Sequence, residues 1–106
     1  MSDKELLDKM VSRVRRVARP EKIILFGSRA RGEARPDSDF DLLVIKKSKR
    51  PRFKRSAEIY AALADLPAEV EVMVYTPGEV REWERVPQAF VTTALREGKV
   101  LYERKG

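Results

Sequence analysis

Segments with the residue spacing of amphipathic helices alternate along this chain with short apolar runs typical of buried strands, and this alternation limits the fold more than any other feature. Helix and strand alternate three times before a final helical segment, so the 106 residues are expected to form one domain, 1–106. The expected fold class is α/β, a small mixed sheet of three to four strands with flanking helices. The predicted elements are helices at 3–18 and 57–66 and strands at 23–26, 40–45, 70–75 and 100–102.

Cap residues mark the remaining helices. Ser28 follows a strand and is predicted to cap a short helix. Thr76 and Glu79 have the spacing of a capping box, which predicts the start of a further helical segment. That segment is expected to break at Pro87 and to continue to Gly98.

Composition restricts the chemistry that this chain can perform. Cysteine and histidine are both absent, which excludes disulfides, the usual zinc sites, thiol nucleophiles and imidazole bases. Catalysis would have to use carboxylates, hydroxyls, lysine, arginine and hard metal ions. The chain has 23 basic against 17 acidic residues, a net charge of +6, which favours an anionic partner: a nucleotide, a nucleic acid or an acidic protein surface.

The first residues are charged, and no apolar run in the sequence is long enough to span a membrane. A signal peptide, a transit peptide and a membrane anchor are therefore not expected. The sequence predicts a cytoplasmic protein with no membrane partner.

Two aspartates flank Phe40 at the start of the second strand. Because side chains alternate along a strand, Asp39 and Asp41 share one face, about 7 Å apart, and could converge on a pair of divalent ions. The alternative is a pair of solvated acids at an edge strand. However, Leu43 and Ile45 continue the same face, so the acids adjoin a buried patch, where they would repel each other without a cation.

The first strand ends in Gly27-Ser28, a turn that could bind an anion. Free backbone N–H groups and a hydroxyl at such a turn suit a phosphate, and glycine allows close approach to the backbone. Ordinary helix initiation is the competing interpretation. Neither a Walker loop nor a Gly-x-Gly-x-x-Gly motif is present.

The turn and the two aspartates meet only if the first and second strands are antiparallel. A third carboxylate would complete the site, and Glu71 reaches it if the second and third strands are parallel, joined by the helix at 57–66. Glu69 shares the face of Glu71, and spacing does not separate the two candidates.

The quoted residues resemble a known family. Phe26-Gly27-Ser28, ten intervening residues and then Asp39-Phe40-Asp41-Leu42 are similar to the signature of minimal nucleotidyltransferases in the DNA polymerase β superfamily. The similarity extends to the segments 71–77 and 97–102, and so covers almost the whole chain. The resemblance implies the nucleotidyltransferase fold.

The resemblance also implies roles for single residues. Asp39 and Asp41 would hold two Mg²⁺ ions, and Glu71 would be the third catalytic and metal-binding acid, at a position where the family more often has aspartate. The triphosphate of ATP or another NTP would bind to Ser28 and to the Gly27 backbone. Arg29, the further nucleotide-binding candidate, and Arg31 could contact phosphates from the short helix, and the competing interpretation is that both are solvated helix charges.

The implied activity is transfer of a nucleoside monophosphate, AMP from ATP being the expected case, to an acceptor supplied by another molecule or by a second copy in a homo-oligomer. Small members of the family resemble the antitoxin of two-gene modules whose partner is a HEPN-domain toxin. The alternative is a non-catalytic antitoxin that neutralises such a partner by binding. A nucleic-acid-binding function rests on charge alone and is not favoured.

The densest charge run, residues 46–55, contains seven lysines and arginines. A solvated loop is the ordinary interpretation, and a docking surface for an acidic partner is the functional one. Three aromatic residues further along are predicted to lie in the core: Trp83, Phe90 and Tyr102.

Overall fold

A computed structural model describes residues 1–105 of the chain. The helices are α1 (Asp3–Ala18), α2 (Ser28–Arg31), α3 (Ala57–Leu63), α4 (Pro77–Trp83) and α5 (Phe90–Glu97), with a 3₁₀ turn at Arg52–Lys54. The strands are β1 (Lys22–Phe26), β2 (Phe40–Ile45), β3 (Val70–Tyr75) and β4 (Lys99–Glu103). No helix among these residues is both long and apolar enough to cross a bilayer.

The four strands form one mixed sheet in the order β3-β2-β1-β4. Strand β1 is antiparallel to β2 and to β4, whereas β2 and β3 are parallel. This confirms the predicted mixed α/β fold class, including the two strand directions that the functional residues require. The register places Phe26 opposite Asp41, and Asp41 opposite Glu71.

The two faces of the sheet have separate cores. On one face Leu25, Leu42 and Val44 pack with α1 and α3, whose Met10 and Ile59 are buried among them. On the other face a smaller cluster forms beneath α5, and its buried members are Ile24, Leu43, Ile45, Tyr75, Val91 and Ala94. The row containing Asp41 belongs to this second face, at the end of the sheet where β1 ends and β2 begins.

Of the two predicted cap residues, Thr76 is confirmed and Ser28 is not. Thr76 Oγ1 accepts a hydrogen bond from the Glu79 N–H (3.1 Å), and the Glu79 carboxylate accepts one from the Thr76 N–H (2.9 Å), as the capping box predicts. The prediction that Ser28 caps α2 is wrong. Gly27 is the capping residue, because the chain leaves β1 with a positive φ of 74° there and Ser28 already lies in the first helical turn.

The other predictions about helix ends and buried aromatic residues are confirmed in part. Helix α3 ends at Leu63 rather than at residue 66. The predicted break at Pro87 is confirmed, since residues 84–89 separate α4 from α5. The prediction that Trp83 and Phe90 lie in the core is wrong, since they are 42% and 45% exposed. Tyr102 is half-buried, with the Arg15 guanidinium 4.3 Å from its ring centre.

Side chains from α3 and from the segment before it cover the outer edge of β3. The Val72 N–H donates to the Tyr60 hydroxyl (2.8 Å), which itself donates to the Val72 carbonyl (3.4 Å). Arg55 donates to the Val74 carbonyl (3.3 Å). Several outward-facing backbone groups of this edge strand are thereby bonded within the fold.

Candidate functional site

Three neighbouring strands bring an aromatic and two acidic residues into one row. Phe26 on β1 is the antiparallel partner of Asp41 on β2, and Asp41 is the parallel partner of Glu71 on β3. Residues directly opposite each other in a sheet point to the same side, so the two carboxylates share a face. Asp39 lies two residues before Asp41, exposed at the end of the sheet.

Gly27 lies directly against the Asp41 side chain. A methyl group at Gly27 would overlap Asp41 Oδ2 and lie 3.2 Å from its Cγ, and the φ of 74° is also one that side chains rarely tolerate. Glycine is therefore required here twice, for conformation and for space. The turn that carries Ser28 is thereby fixed in contact with the carboxylate.

The three acids form one electrostatic cluster. Partial burial raises the pKa of Asp41 above its ordinary value of 3.8, and the negative charges of Glu71 and then Asp39 raise it further, while Arg31 opposes them. The charge of Asp41 is therefore undercompensated within the protein. A bound cation would stabilise the ionised form of Asp41.

The structure separates Glu71 from Glu69, which the sequence does not. Glu71 pairs with Asp41, and its charge acts on that carboxyl. Glu69 lies just before β3, where its carbonyl accepts a hydrogen bond from the Phe40 N–H (2.9 Å). It lines a separate groove of about 870 Å³ that also includes Leu66 of the core on the α1–α3 face. Glu71, and not Glu69, is thus the strand partner of Asp41 and the glutamate whose charge acts on it.

The donor chemistry of the cluster fits a hard divalent cation. Within residues 1–105, no three acidic side chains are close enough to form a ready-made cage around an ion. Mg²⁺ does not need such a cage, because it commonly binds to one or two carboxylates and takes waters and substrate phosphates as its other ligands. The undercompensated carboxylate of Asp41, next to a turn suited to phosphate, meets that requirement.

Arg29 is held by protein groups on several sides. Its guanidinium donates to the carbonyls of Ser38 (2.7 and 3.0 Å) and Pro36 (3.3 Å), pairs with Asp3 (2.9 Å) and lies 3.8 Å from the centre of the Phe40 ring. Its side chain is only 8% exposed. Arg29 therefore fixes the backbone immediately before Asp39, a role that its sequence context does not reveal. Nucleotide binding by Arg29 stays a prediction.

Arg31 differs from Arg29 although both are on α2. It is exposed, forms a surface pair with Glu33 (3.2 Å) and acts on the charge of Asp41. Because exposed pairs are weak, this guanidinium is available to a phosphate group near the acids.

The basic run at 46–55 leaves β2 at the opposite end of the sheet from the acids. Arg55 is committed to the fold, since its guanidinium donates to both carboxylate oxygens of Glu79 (2.6 and 3.2 Å) and to the Arg50 carbonyl (2.8 Å). The residues before it remain on the surface, and Phe53 is 79% exposed. We call the exposed part, residues 46–54, the basic surface.

An aromatic pair adjoins the acidic row, and sequence reasoning missed it. Phe26 and Phe90 meet edge to face, with ring centres 5.1 Å apart and planes at 78°. Helix α5 carries Phe90 to this position. The available signal in the sequence was the place of Phe26, immediately before Gly27 in the motif.

Comparisons with known proteins agree with the fold. The family model described as polymerase beta, nucleotidyltransferase matches residues 8–106. No curated protein gives a significant match. A solved structure from Sulfolobus solfataricus, assigned as a nucleotidyltransferase, is 24% identical, covers 94% of this chain and 79% of its own, and has a TM-score of 0.66.

Two further structures similar in fold come from toxin–antitoxin systems. One, a toxin–antitoxin with AMP-PNP, is 20% identical with a TM-score of 0.59 and covers 93% of this chain and 74% of that one. The other, the toxin–antitoxin MntA-HepT, is 17% identical with a TM-score of 0.55 and covers 96% and 74%. The match of the family model over nearly the whole chain shows that this protein belongs to the polymerase beta nucleotidyltransferase family.

Proposed function

We propose that this protein is a Mg²⁺-dependent nucleotidyltransferase that moves AMP from ATP to a hydroxyl group of a partner protein. One observation carries the proposal: the turn at Gly27 lies against the Asp41 carboxylate, which has Glu71 as its strand partner. A group suited to phosphate and the acids suited to a metal ion are thus parts of one site.

Each residue of the site has a task in this proposal. Asp39 and Asp41 hold two Mg²⁺ ions with Glu71, and the turn at Gly27 and Ser28 binds the triphosphate. Bound Mg²⁺ supplies neutralisation of the phosphate charge and alignment of the reacting groups. Arg31 adds a positive charge beside the acids, in agreement with its effect on Asp41.

The reaction is an in-line displacement at the α-phosphorus of ATP. The acceptor oxygen forms a bond to this phosphorus, and the bond to the bridging oxygen breaks, so that pyrophosphate leaves with the electron pair. The acceptor proton passes to a carboxylate, since the chain has no histidine or cysteine. We assign this step to Glu71, which is exposed on the edge strand and open to an incoming acceptor.

We propose a HEPN-domain toxin as the partner. The similarity in fold to toxin–antitoxin structures, one of them with AMP-PNP, supports this choice of partner and nucleotide. The basic surface is the proposed docking face, because its concentration of positive charge would attract an acidic partner. Charge reversal at Lys49, Arg50 and Arg52 should slow association, most strongly at low salt, without changing nucleotide affinity.

Label transfer tests the catalytic proposal. The protein is incubated with Mg²⁺, each α-labelled NTP and the product of the neighbouring gene, and label on that product is measured. Asp39→Asn and Asp41→Asn should each reduce transfer by about 100-fold or more, because even residues behind metal ligands contribute 10- to 100-fold. Glu71→Gln should also reduce transfer. Glu69→Gln is the matched control, an exposed carboxylate just before the same strand, and should leave it unchanged. Undiminished transfer by the double aspartate variant would contradict the proposal.

The separation of the two surfaces favours one alternative, neutralisation by binding alone. The basic surface lies at the opposite end of the sheet from the acids, so a partner could dock there without any chemistry. If the double aspartate variant still protects cells from the partner as well as the wild type does, binding is the function. If protection is lost while complex formation persists, transfer is the function.

A further inference from the structure

We propose that Phe90, supported by Phe26, forms the surface on which the base of the bound nucleotide stacks. This inference rests on the proposed function, since it assumes that nucleotide binds at the turn and the acids. It assigns a base-binding subsite to an aromatic pair that would otherwise have no role outside packing.

The position of Phe26 connects the pair to the site. Phe26 is the strand partner of Asp41 and directly precedes Gly27. The Phe90 ring centre lies 5.1 Å from that of Phe26. In a nucleotide only the ribose separates the base from the first phosphate. A triphosphate held at Gly27 therefore brings its base into the neighbourhood of these rings.

Phe90 is only partly covered by the protein. An edge-to-face pair leaves at least one flat side of each ring free of its partner, and Phe90 is 45% exposed. A large aromatic side chain gains free energy when such a surface is covered, and a nucleobase covers it with a flat π system.

The backbone that carries Phe90 is fixed on both sides. Val91 and Ala94 are buried in the core against Ile24, so the first turn of α5 cannot shift easily. The Thr92 hydroxyl donates to the carbonyl of Trp83 (2.7 Å), which joins the start of α5 to the end of α4. The ring is thus presented to the site by a rigid element, which reduces the entropy lost on stacking.

Stacking recognises the class of ligand rather than one base, because every nucleobase has a π face. The subsite should therefore favour a nucleoside triphosphate over inorganic tripolyphosphate. Purine nucleotides, which have the larger ring surface, should bind at least as tightly as pyrimidine nucleotides.

Calorimetric titration of the full chain with Mg²⁺ and either ATP or tripolyphosphate tests this subsite. Phe90→Ala should weaken ATP binding by about tenfold, equivalent to ~1.4 kcal/mol, because stacking on one aromatic ring has that order of effect. Tripolyphosphate, which has no base, should bind equally to both proteins. Phe53→Ala is the matched control, an exposed phenylalanine on the basic surface, and should change neither affinity.

Two further variants separate stacking from simple apolar packing. Phe90→Tyr should retain the affinity for ATP. Phe90→Leu should lose most of the difference in affinity between ATP and tripolyphosphate, and its melting temperature should stay near that of the wild type. An unchanged ATP affinity in Phe90→Ala, or an equal loss for both ligands, would overturn the subsite. If the wild type binds neither ligand, the proposed function itself fails and the subsite fails with it.

Discussion

Acidic side chains at the two ends of the sheet have opposite electrostatic surroundings. At the site end, Asp39, Asp41 and Glu71 are gathered with little compensation from the protein. At the far end, Arg55 and Glu79 neutralise each other through two hydrogen bonds, with the arginine side chain 8% exposed. The Arg55–Glu79 pair is neutralised within the fold, whereas the three acids at the site end are left without full compensation.

The pKa values of two carboxyls express this difference. Burial and neighbouring acids raise the pKa of Asp41, whereas the hydrogen bond from Arg55 lowers the pKa of Glu79 despite its partial burial. The fold therefore destabilises the ionised form of one carboxyl and stabilises that of the other. The effects of mutation and of pH should follow the same division.

The largest effect is expected at Arg29. This residue is an exception to the division, because it lies at the site end but its charge is bonded within the fold. Arg29→Met should lower the free energy of unfolding by roughly 2–3 kcal/mol, because the half-buried carbonyl of Ser38 and the carbonyl of Pro36 both lose the guanidinium that donates to them. Transfer should fall by about 10- to 100-fold, because the backbone before Asp39 loosens.

Urea denaturation and the kinetics of the folded variant measure the two effects separately. Arg31→Met is the matched control on the same helix, and its stability should stay within about 0.5 kcal/mol of the wild type because Arg31 is exposed. Arg29→Lys should restore the positive charge but not the planar guanidinium that donates several hydrogen bonds, and so should recover only part of the lost stability. Equal stability of the two methionine variants would show that Arg29 does not hold the segment.

The next effect tests the far end, where pairing is purely structural. Arg55→Met should destabilise the protein by about 2 kcal/mol, because Glu79 loses its partner and the Val74 carbonyl loses a donor. Addition of Glu79→Gln should recover part of this, which a double-mutant cycle in urea measures. Nucleotide affinity should not change in either variant, and a parallel loss of affinity would mean that the two ends are coupled.

A smaller effect is expected at Ser28, because the structure removes its role as a cap. Ser28→Ala should weaken triphosphate binding by about 1 kcal/mol, the scale of one hydrogen bond to a charged group. Its melting temperature should match that of the wild type, since Gly27 holds the capping position and the Ser28 side chain does not cap α2. A large fall in melting temperature with unchanged binding would assign Ser28 to the fold instead.

The smallest expected effect is a difference in how the stabilities of Asp41 and Glu79 variants depend on pH, measured without metal. Because the pKa of Asp41 is raised in the fold, ionisation of this group opposes folding at neutral pH. Asp41→Asn should therefore be slightly more stable than the wild type at pH 7, and the advantage should disappear as the pH falls below 3.8, where the wild-type group is protonated in both states.

Glu79 should behave in the opposite sense. Its pKa is lowered in the fold, so its contribution is complete above the ordinary value of 4.5 and is lost as the pH falls through the lowered value. Urea denaturation of wild type, Asp41→Asn and Glu79→Gln across acidic pH measures both trends. On acidification, the stability of Asp41→Asn relative to the wild type should fall and that of Glu79→Gln should rise. If both relative stabilities change in the same direction, the proposed division of charge is wrong.

Much of the fold was accessible from the sequence, because local patterns determine it. The alternation of apolar residues predicted β2 and β3 at their observed bounds, and the capping box at Thr76 predicted the start of α4. The antiparallel direction of β1 and β2 followed from the requirement that the turn at Gly27 meet the aspartates, and the parallel direction of β2 and β3 from the requirement that Glu71 reach them. The contact between Gly27 and Asp41 agrees with the first requirement.

The remaining features depend on tertiary geometry that spacing does not encode. The positive φ at Gly27 moved the cap by one residue, and Trp83 and Phe90 are exposed although they were expected in the core. An arginine in a helix of four residues reads as a surface charge, yet the loop at 36–38 folds back over Arg29 and buries it. Which of Glu69 and Glu71 is the strand partner of Asp41 likewise required the register of β3.

The bonded edge of β3 limits how copies of this chain can join. A strand from another molecule needs a row of free N–H and carbonyl groups as a template, and Tyr60 and Arg55 already occupy such groups at Val72 and Val74. Of the two edges that the described residues give the sheet, β4 is the one left for such pairing. When two copies pair through β4, the free N–H and carbonyl groups of both β4 edges become bonded. Association by strand pairing should therefore stop at a symmetric dimer and not continue into a fibre.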